Sequence, residues 1–138
     1  MAIRFFNEDV DFALPNKKQT KNWLKEILQS EGFLVETINY IFCSDSHLFK
    51  INKEYLKHDT LTDIITFDYS DLPNTIESDI FISIERVREN AANLDKEFDE
   101  ELHRVIIHGL LHILGYRDKT TEEKQEMREK EDACLSLR

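Results

Sequence analysis

Residues 99–118 read Asp99-Glu-Glu-Leu102-His-Arg-Val105-Ile106-Ile-His108-Gly109-Leu110-Leu-His112-Ile113-Leu114-Gly115-Tyr-Arg-Asp118. Leu102, Val105, Ile106, Leu110 and Ile113 follow one another at intervals of three, one, four and three, which is the spacing of one apolar helix face. The pattern predicts a helix over Asp99–Leu114 that must bury this stripe against a second layer. Gly115 ends it, because glycine takes the left-handed conformation of a helix terminus at little cost. His108 and His112 stand between the stripe and its edge, with Gly109 between them.

The segments upstream supply the second layer. Ile3–Phe6, Ile38–Cys43, Asp63–Phe67 and Asp79–Ile84 are β-branched and aromatic runs, predicted as four short strands, with Asp71, Pro73 and Asn74 as turn residues between the last two. Asn16 is placed to cap a helix carrying Trp23, Leu24, Ile27 and Leu28 on one face and stopping at Gly32. Ser44 or Asp45 caps the next, with Leu48, Ile51 and Tyr55 inward. A further helix runs over Glu85–Asn93, and Thr120-Thr-Glu-Glu123 is a capping-box pattern opening the last. Four strands interleaved with about five helices indicate an α/β (α+β) fold, a single compact domain over residues 1–138 with helices packed on a small four-stranded mixed sheet. Phe42, Phe49, Phe67 and Phe81 fall at core positions of these elements and read as packing, with Tyr69 the exception.

The two histidines carry the chemistry. Four residues apart on a helix, they lie roughly 40° apart around the axis and about one turn along it, so both rings can face one ion. Reversal of the chain at Gly115 returns Asp118 to the same place, with a carboxylate that Zn²⁺ accepts as a ligand. Three protein ligands leave a fourth position for water, the arrangement of a catalytic rather than a structural site. A Glu directly after the first His is the general base of the zincin metalloproteases, whose metal helix this one resembles. Here that position is Gly109, so peptide hydrolysis by that route lacks its base.

Composition narrows the classes. The chain has 138 residues, 41% of them hydrophobic, enough for a core without disulfides. No stretch reaches the 18 or so apolar residues of a membrane span, and the N-terminus has no signal-like apolar run, so no membrane partner is expected. Cys43 and Cys134 make no disulfide framework and are read as reduced, hence a cytoplasmic protein. A net charge of −10 argues against nonspecific coating of nucleic acid. Acids concentrate in Glu97–Glu101 and in the last helix, at Glu122, Glu123, Glu126, Glu129, Glu131 and Asp132. Lys50, Lys53 and Lys57 recur at helical spacing beside His58 and read as a solvated helix face rather than a basic binding stripe.

Several blocks in order carry a resemblance. His108-Gly109-Leu110-Leu111-His112-Ile113-Leu114-Gly115-Tyr116-Arg117-Asp118 resembles the signature His-Gly-x-Leu-His-Leu-x-Gly-Tyr-Asp-His of the YbeY-type rRNA maturation factors. Ile51-Asn52-Lys53-Glu54-Tyr55, Thr62-Asp63-Ile64-Ile65-Thr66-Phe67 and Ser78-Asp79-Ile80-Phe81-Ile82-Ser83 are similar to three further blocks of that family, and Glu122–Leu135 to its closing Met-containing helix. The resemblance implies a metal-dependent, single-strand-specific endoribonuclease. It further implies a role in late maturation of the 16S rRNA 3′ end and in ribosome quality control. Implied partners are single-stranded RNA or rRNA and the ribosome or its small-subunit proteins, with no DNA expected. The implied cofactor is one Zn²⁺ per chain, held by His108, His112 and Asp118.

Three positions depart from the family pattern. Asp118 stands where most relatives have His, and Arg117 replaces the Asp before it. An oxygen donor leaves Mn²⁺ or another divalent ion open as the metal and makes bound water less acidic than three histidines would. The family's Arg after Tyr is Leu56 here; Lys57, one residue on, supplies charge without bidentate geometry. Lys57 and Arg117 are candidate phosphate contacts, and His58 a candidate general base or an exposed loop histidine. Asp63 and Asp79 orient ligands or water, or are simply turn residues. Two other functions stay open: a ribosome assembly factor with a structural metal and an acidic docking face, and a hydrolase of another substrate.

Overall fold

The computed structural model describes residues 2–55 and 62–138, with the side chain of Tyr55 excepted. Lys57 and His58, and Leu56 beside them, lie outside the described residues. Among the described residues four strands and five helices follow one another: β1 (Ala2–Asn7), α1 (Lys17–Ser30), β2 (Leu34–Cys43), α2 (Asp45–Tyr55), β3 (Ile64–Asp68), β4 (Thr75–Ser83), α3 (Ile84–Asn93), α4 (Phe98–Ile113) and α5 (Thr121–Leu135). The predicted mixed sheet and helices are there, with β2 and β4 each longer at the start than their apolar runs alone indicate.

The sheet order is β1-β2-β4-β3. β1, β2 and β4 run parallel, whereas β3 is an antiparallel edge strand pairing Ile64 with Ile82 and Thr66 with Ile80. Pleating sends alternate residues to opposite faces. Ile3, Ile38, Tyr40, Phe42, Ile80 and Ile82 fall on one face and form the main core with Trp23, Leu24, Ile27 and Leu28 of α1 and the apolar stripe of α4. The other face carries Cys43, Ile65, Phe67 and Phe81, covered by Leu48 and Ile51 of α2 in a smaller cluster. Tyr69 is exposed, as its exception implied. Both cysteines are free and buried, and burial among nearby acids pushes the Cys43 thiol up to about 12.

The helix starts show which local signals act. Thr120 and Glu123 form the capping box, each side chain bonding the other's backbone N–H. Ser44 caps α2, its hydroxyl accepting from the His47 N–H at 3.1 Å, so Ser44 and not Asp45 takes that role. Asn16 makes no side-chain cap; it precedes α1 in the left-handed conformation. That conformation is one asparagine tolerates well.

α4 crosses the main face of the sheet over β3 and β4, and Gly109 is the point of contact. A Cβ there would come within 2.6 Å of Ile64 Cδ1 and 3.2 Å of Ile80 Cγ2. Glycine lets the helix axis approach the sheet, which sets His108 and His112 at the layer edge.

Candidate metal centre

His108 and His112 leave α4 on one side, and their Nε2 atoms face each other at 3.0 Å. Behind them the helix closes with a Schellman turn. Gly115, at φ 108°, donates to the His112 carbonyl at 3.1 Å and Tyr116 donates to the Leu111 carbonyl at 3.0 Å. The turn is tied down by the Tyr116 hydroxyl, which donates to Glu31 Oε1 at 2.8 Å, while Lys130 of α5 pairs with the same oxygen at 2.7 Å. Three residues beyond Gly115 the chain delivers Asp118 Oδ2 to 3.3 Å from both imidazole Nε2 atoms.

The three donor atoms thus form a triangle with edges of 3.0, 3.3 and 3.3 Å. A tetrahedral ion bonded at 2.0–2.1 Å requires edges of about 3.3–3.4 Å. The triangle fits. Lone pairs of two imidazoles and a carboxylate repel at such distances unless a proton or a cation lies among them, so the donor set itself asks for one. All three side chains keep between a quarter and two-fifths of their surface accessible, which leaves a coordination position open to solvent. Among the described residues no other set of three His, Cys, Asp or Glu side chains converges in this way.

His108 is oriented from behind. Its Nδ1–H donates to Glu131 Oε2 at 2.5 Å, which leaves the Nε2 lone pair facing the other two donors. Glu131 sits on α5, only 4% exposed, and also accepts from Arg104 Nη1 at 2.9 Å. Arg104 in turn reaches Asp132 at 2.6 Å. A carboxylate behind a ligating histidine fixes its tautomer and raises its basicity. Burial disfavours the His108 imidazolium, but the bond to Glu131 and the charges of Glu131, Asp118 and Asp63 outweigh it, so the His108 pKa lies above the ordinary histidine value. Burial would likewise raise Glu131, yet His108 and Arg104 hold it below the ordinary glutamate value.

A cavity of about 360 Å³ opens beside the triad between α4 and α5, lined by His108, Asp118 and Glu131 together with Asp63, Glu101 and Arg104. Asp63, at the start of β3, and Glu101, one of the buried residues of α4, are both pushed above their ordinary pKa, in each case chiefly by burial. Asp63 thus lines the cavity beside the triad. Asp79 does not: in mid-β4 its carboxylate accepts from Asn39 Nδ2 at 3.0 Å on the opposite face of the sheet. Arg117 is exposed and lines a separate cavity with Glu31, Glu123 and Glu126. The structure thus brings together His108, His112 and Asp118, adds Asp63, and leaves Arg117 and Asp79 apart.

Glu131 is the functional residue that sequence reasoning passes over, counted there among the acids of the last helix. A signal does exist. Met127, Glu131 and Cys134 are the buried residues of α5, spaced four and three apart, so an acid occupies the apolar stripe.

Residues 3–137 match the family model described as "Endoribonuclease YbeY". The chain belongs to the YbeY endoribonuclease family. The "Endoribonuclease YbeY" of Cytophaga hutchinsonii is 52% identical over 99% of this chain and 96% of its own, and that of Christiangramia forsetii 50% identical over 98% and 93%. The solution structure of TM1509 from Thermotoga maritima superposes with a TM-score of 0.66 at 28% identity, covering 99% of this chain and 88% of that one. Membership in the YbeY family over nearly the whole length agrees with the resemblance drawn from the blocks around His108, Asn52, Asp63 and Asp79.

Proposed function

We propose that this chain is a metal-dependent endoribonuclease of single-stranded RNA, with His108, His112 and Asp118 holding one divalent ion. The observation that carries the proposal is the solvent-open triangle of donor atoms in a chain that aligns from end to end with proteins named endoribonucleases. A divalent ion held there supplies Lewis-acid polarisation of a phosphoryl oxygen and a lowered pKa for a water nucleophile. Two imidazoles with one carboxylate suit Zn²⁺, and the oxygen donor also admits Mn²⁺.

The chain's own residues do the rest. Glu131 keeps His108 in the Nδ1–H tautomer, and the Arg104 bond keeps the Glu131 carboxylate in place. Asp63, part-buried and with its pKa raised by desolvation, can hold or accept a proton in the cavity beside the triad. Gly109 presents no side chain to the reacting groups, which separates this site from peptide hydrolysis by a glutamate base. A role in rRNA maturation, including the 16S 3′ end and ribosome quality control, belongs to the same proposal and rests on the family resemblance. So do the ribosomal partners and a cytoplasmic place of action.

The test is direct. Zinc-loaded protein should cut a single-stranded rRNA fragment, and His112→Ala should abolish cutting while the far-ultraviolet spectrum and melting profile stay native. No turnover by wild type, together with unfolding of His112→Ala, points instead to an assembly factor with a structural metal.

A further inference from the structure

The cavity beside the triad has a second wall, made by α5. Lys124 and Arg128 line it together with His108 and Asp118. Four residues apart on one helix, their side chains share a face and stand about 6 Å apart along the axis. Asp118 precedes the start of α5, so the two cations follow the triad at roughly one and two turns into the helix.

Neither is neutralised by a neighbour. The chain has 28 acids against 18 Lys and Arg, and α5 itself is rich in acid. Yet among the described residues neither Lys124 nor Arg128 makes an ion pair within 4.0 Å, while nearby Arg104 and Lys130 are both paired. Four of the six acids of α5 are committed elsewhere, and neither Glu122 nor Glu126 pairs with Lys124 or Arg128. Glu123 closes the capping box, Glu131 and Asp132 reach Arg104, and Glu129 accepts from Gln125. Across the cavity Glu101 feels the field of Arg128 without pairing with it. Two unpaired cations pointed at the space next to a metal triad, in a strongly acidic protein, are where a polyanion gains contacts.

The geometry points to Lys124 and Arg128 as a phosphate-binding subsite for the RNA backbone flanking the scissile position, with the strand running from the triad along α5. The inference rests on the endoribonuclease reading and adds to it the direction of the strand. It also shows how a protein of net charge −10 can hold a polyanion: a short local stripe of positive charge continues from the metal centre.

The experiment measures binding of a fluorescein-labelled single-stranded oligoribonucleotide to the full zinc-loaded chain by anisotropy from 25 to 200 mM salt, with strand integrity checked after each titration. Each phosphate contact on a single strand contributes about 0.7 to the slope of log K against log salt. Lys124→Gln with Arg128→Gln should therefore flatten the slope by about 1.4 and weaken binding about 25-fold at 0.1 M salt. The exchange Lys124→Arg with Arg128→Lys should keep the wild-type slope. Lys17→Gln with Lys18→Gln, an equal charge change at the start of α1, should also leave it unchanged. Zinc affinity should be the same in all of them. A Lys124→Gln, Arg128→Gln protein that keeps the wild-type slope overturns the subsite alone, as does an equal loss in the α1 pair. A wild-type protein that binds no RNA overturns both the endoribonuclease reading and the subsite.

Discussion

Replacing Glu131 with alanine removes the acceptor behind His108 and leaves the three donor atoms of the triad untouched. In the wild type the Glu131 carboxylate takes the His108 Nδ1–H at 2.5 Å and Arg104 at 2.9 Å. Arg104 keeps Asp132 at 2.6 Å in the variant, so it is not stranded, whereas the His108 Nδ1–H loses its partner. Two costs follow. Loss of an outer-shell carboxylate weakens metal binding by about 10- to 100-fold, or about 1.4–2.8 kcal/mol. The unsatisfied ring N–H costs the metal-free fold about 1–3 kcal/mol. Competition against a chromophoric chelator reads the first, and thermal melting in chelator reads the second.

The pH dependence separates orientation from simple loosening. Glu131 helps hold the His108 pKa above the ordinary value, and a metal must displace that proton. Wild-type zinc affinity should therefore begin to fall at a higher pH than that of Glu131→Ala. The deficit of the variant should be widest near pH 8 and narrow towards pH 6. Glu131→Gln, which keeps an acceptor oxygen but not the charge, should lie between the two proteins. A folded Glu131→Ala protein with zinc affinity within twofold of wild type at pH 8 would refute this account of His108.

Gly109→Ala gains about 1 kcal/mol of helix propensity but places its Cβ 2.6 Å from Ile64 Cδ1 and 3.2 Å from the fully buried Ile80; chemical denaturation should show a net loss of about 1 kcal/mol, and Gly109→Glu a loss of about 3 kcal/mol. Thr120→Ala opens the capping box of α5 and should cost about 1 kcal/mol, seen as faster amide exchange in the first turn of that helix. Glu101→Gln relieves a carboxylate whose pKa burial has raised. Such a group favours the fold below its unfolded pKa and opposes it as pH rises through the folded value, so the variant should melt higher than wild type at pH 8, with the gain fading towards pH 4. Zinc at 100 times its dissociation constant should stabilise the wild type by about 2.7 kcal/mol in urea melts, an effect that EDTA removes and that His112→Ala lacks.

The sheet was legible because each strand contains a β-branched or aromatic run, and α4 because its stripe keeps helical spacing from Leu102 to Ile113. Legible for a different reason was the triad: both ends of the motif are local, a one-turn histidine pair and a glycine-terminated exit. What sequence spacing could not show is everything contributed from a distance. Glu131 meets His108 across 23 positions of chain, through the docking of α5 on α4. Asp63 comes to the cavity because β3, paired antiparallel with β4, begins over the same helix. Arg117 shows the opposite case. Its neighbour in sequence is a donor of the triad, yet adjacent residues after a Schellman turn point different ways, and its side chain goes to a cavity lined by Glu31, Glu123 and Glu126.

Gly109 ties the fold to the chemistry. A zincin-like helix that carried a glutamate there would have to stand farther from β3 and β4, since even a methyl group meets Ile64 and Ile80. The close approach that forbids the glutamate also sets the depth of α4 in the main layer, and with it the height at which His108 and His112 emerge. His108 then falls within reach of Glu131 on α5, and the two imidazoles remain partly exposed at the layer edge. One residue without a side chain thus removes the peptidase base and places the metal donors. Of the acids in the walls of the adjoining cavity, Asp63 and Glu101 are the ones whose pKa burial has shifted upward.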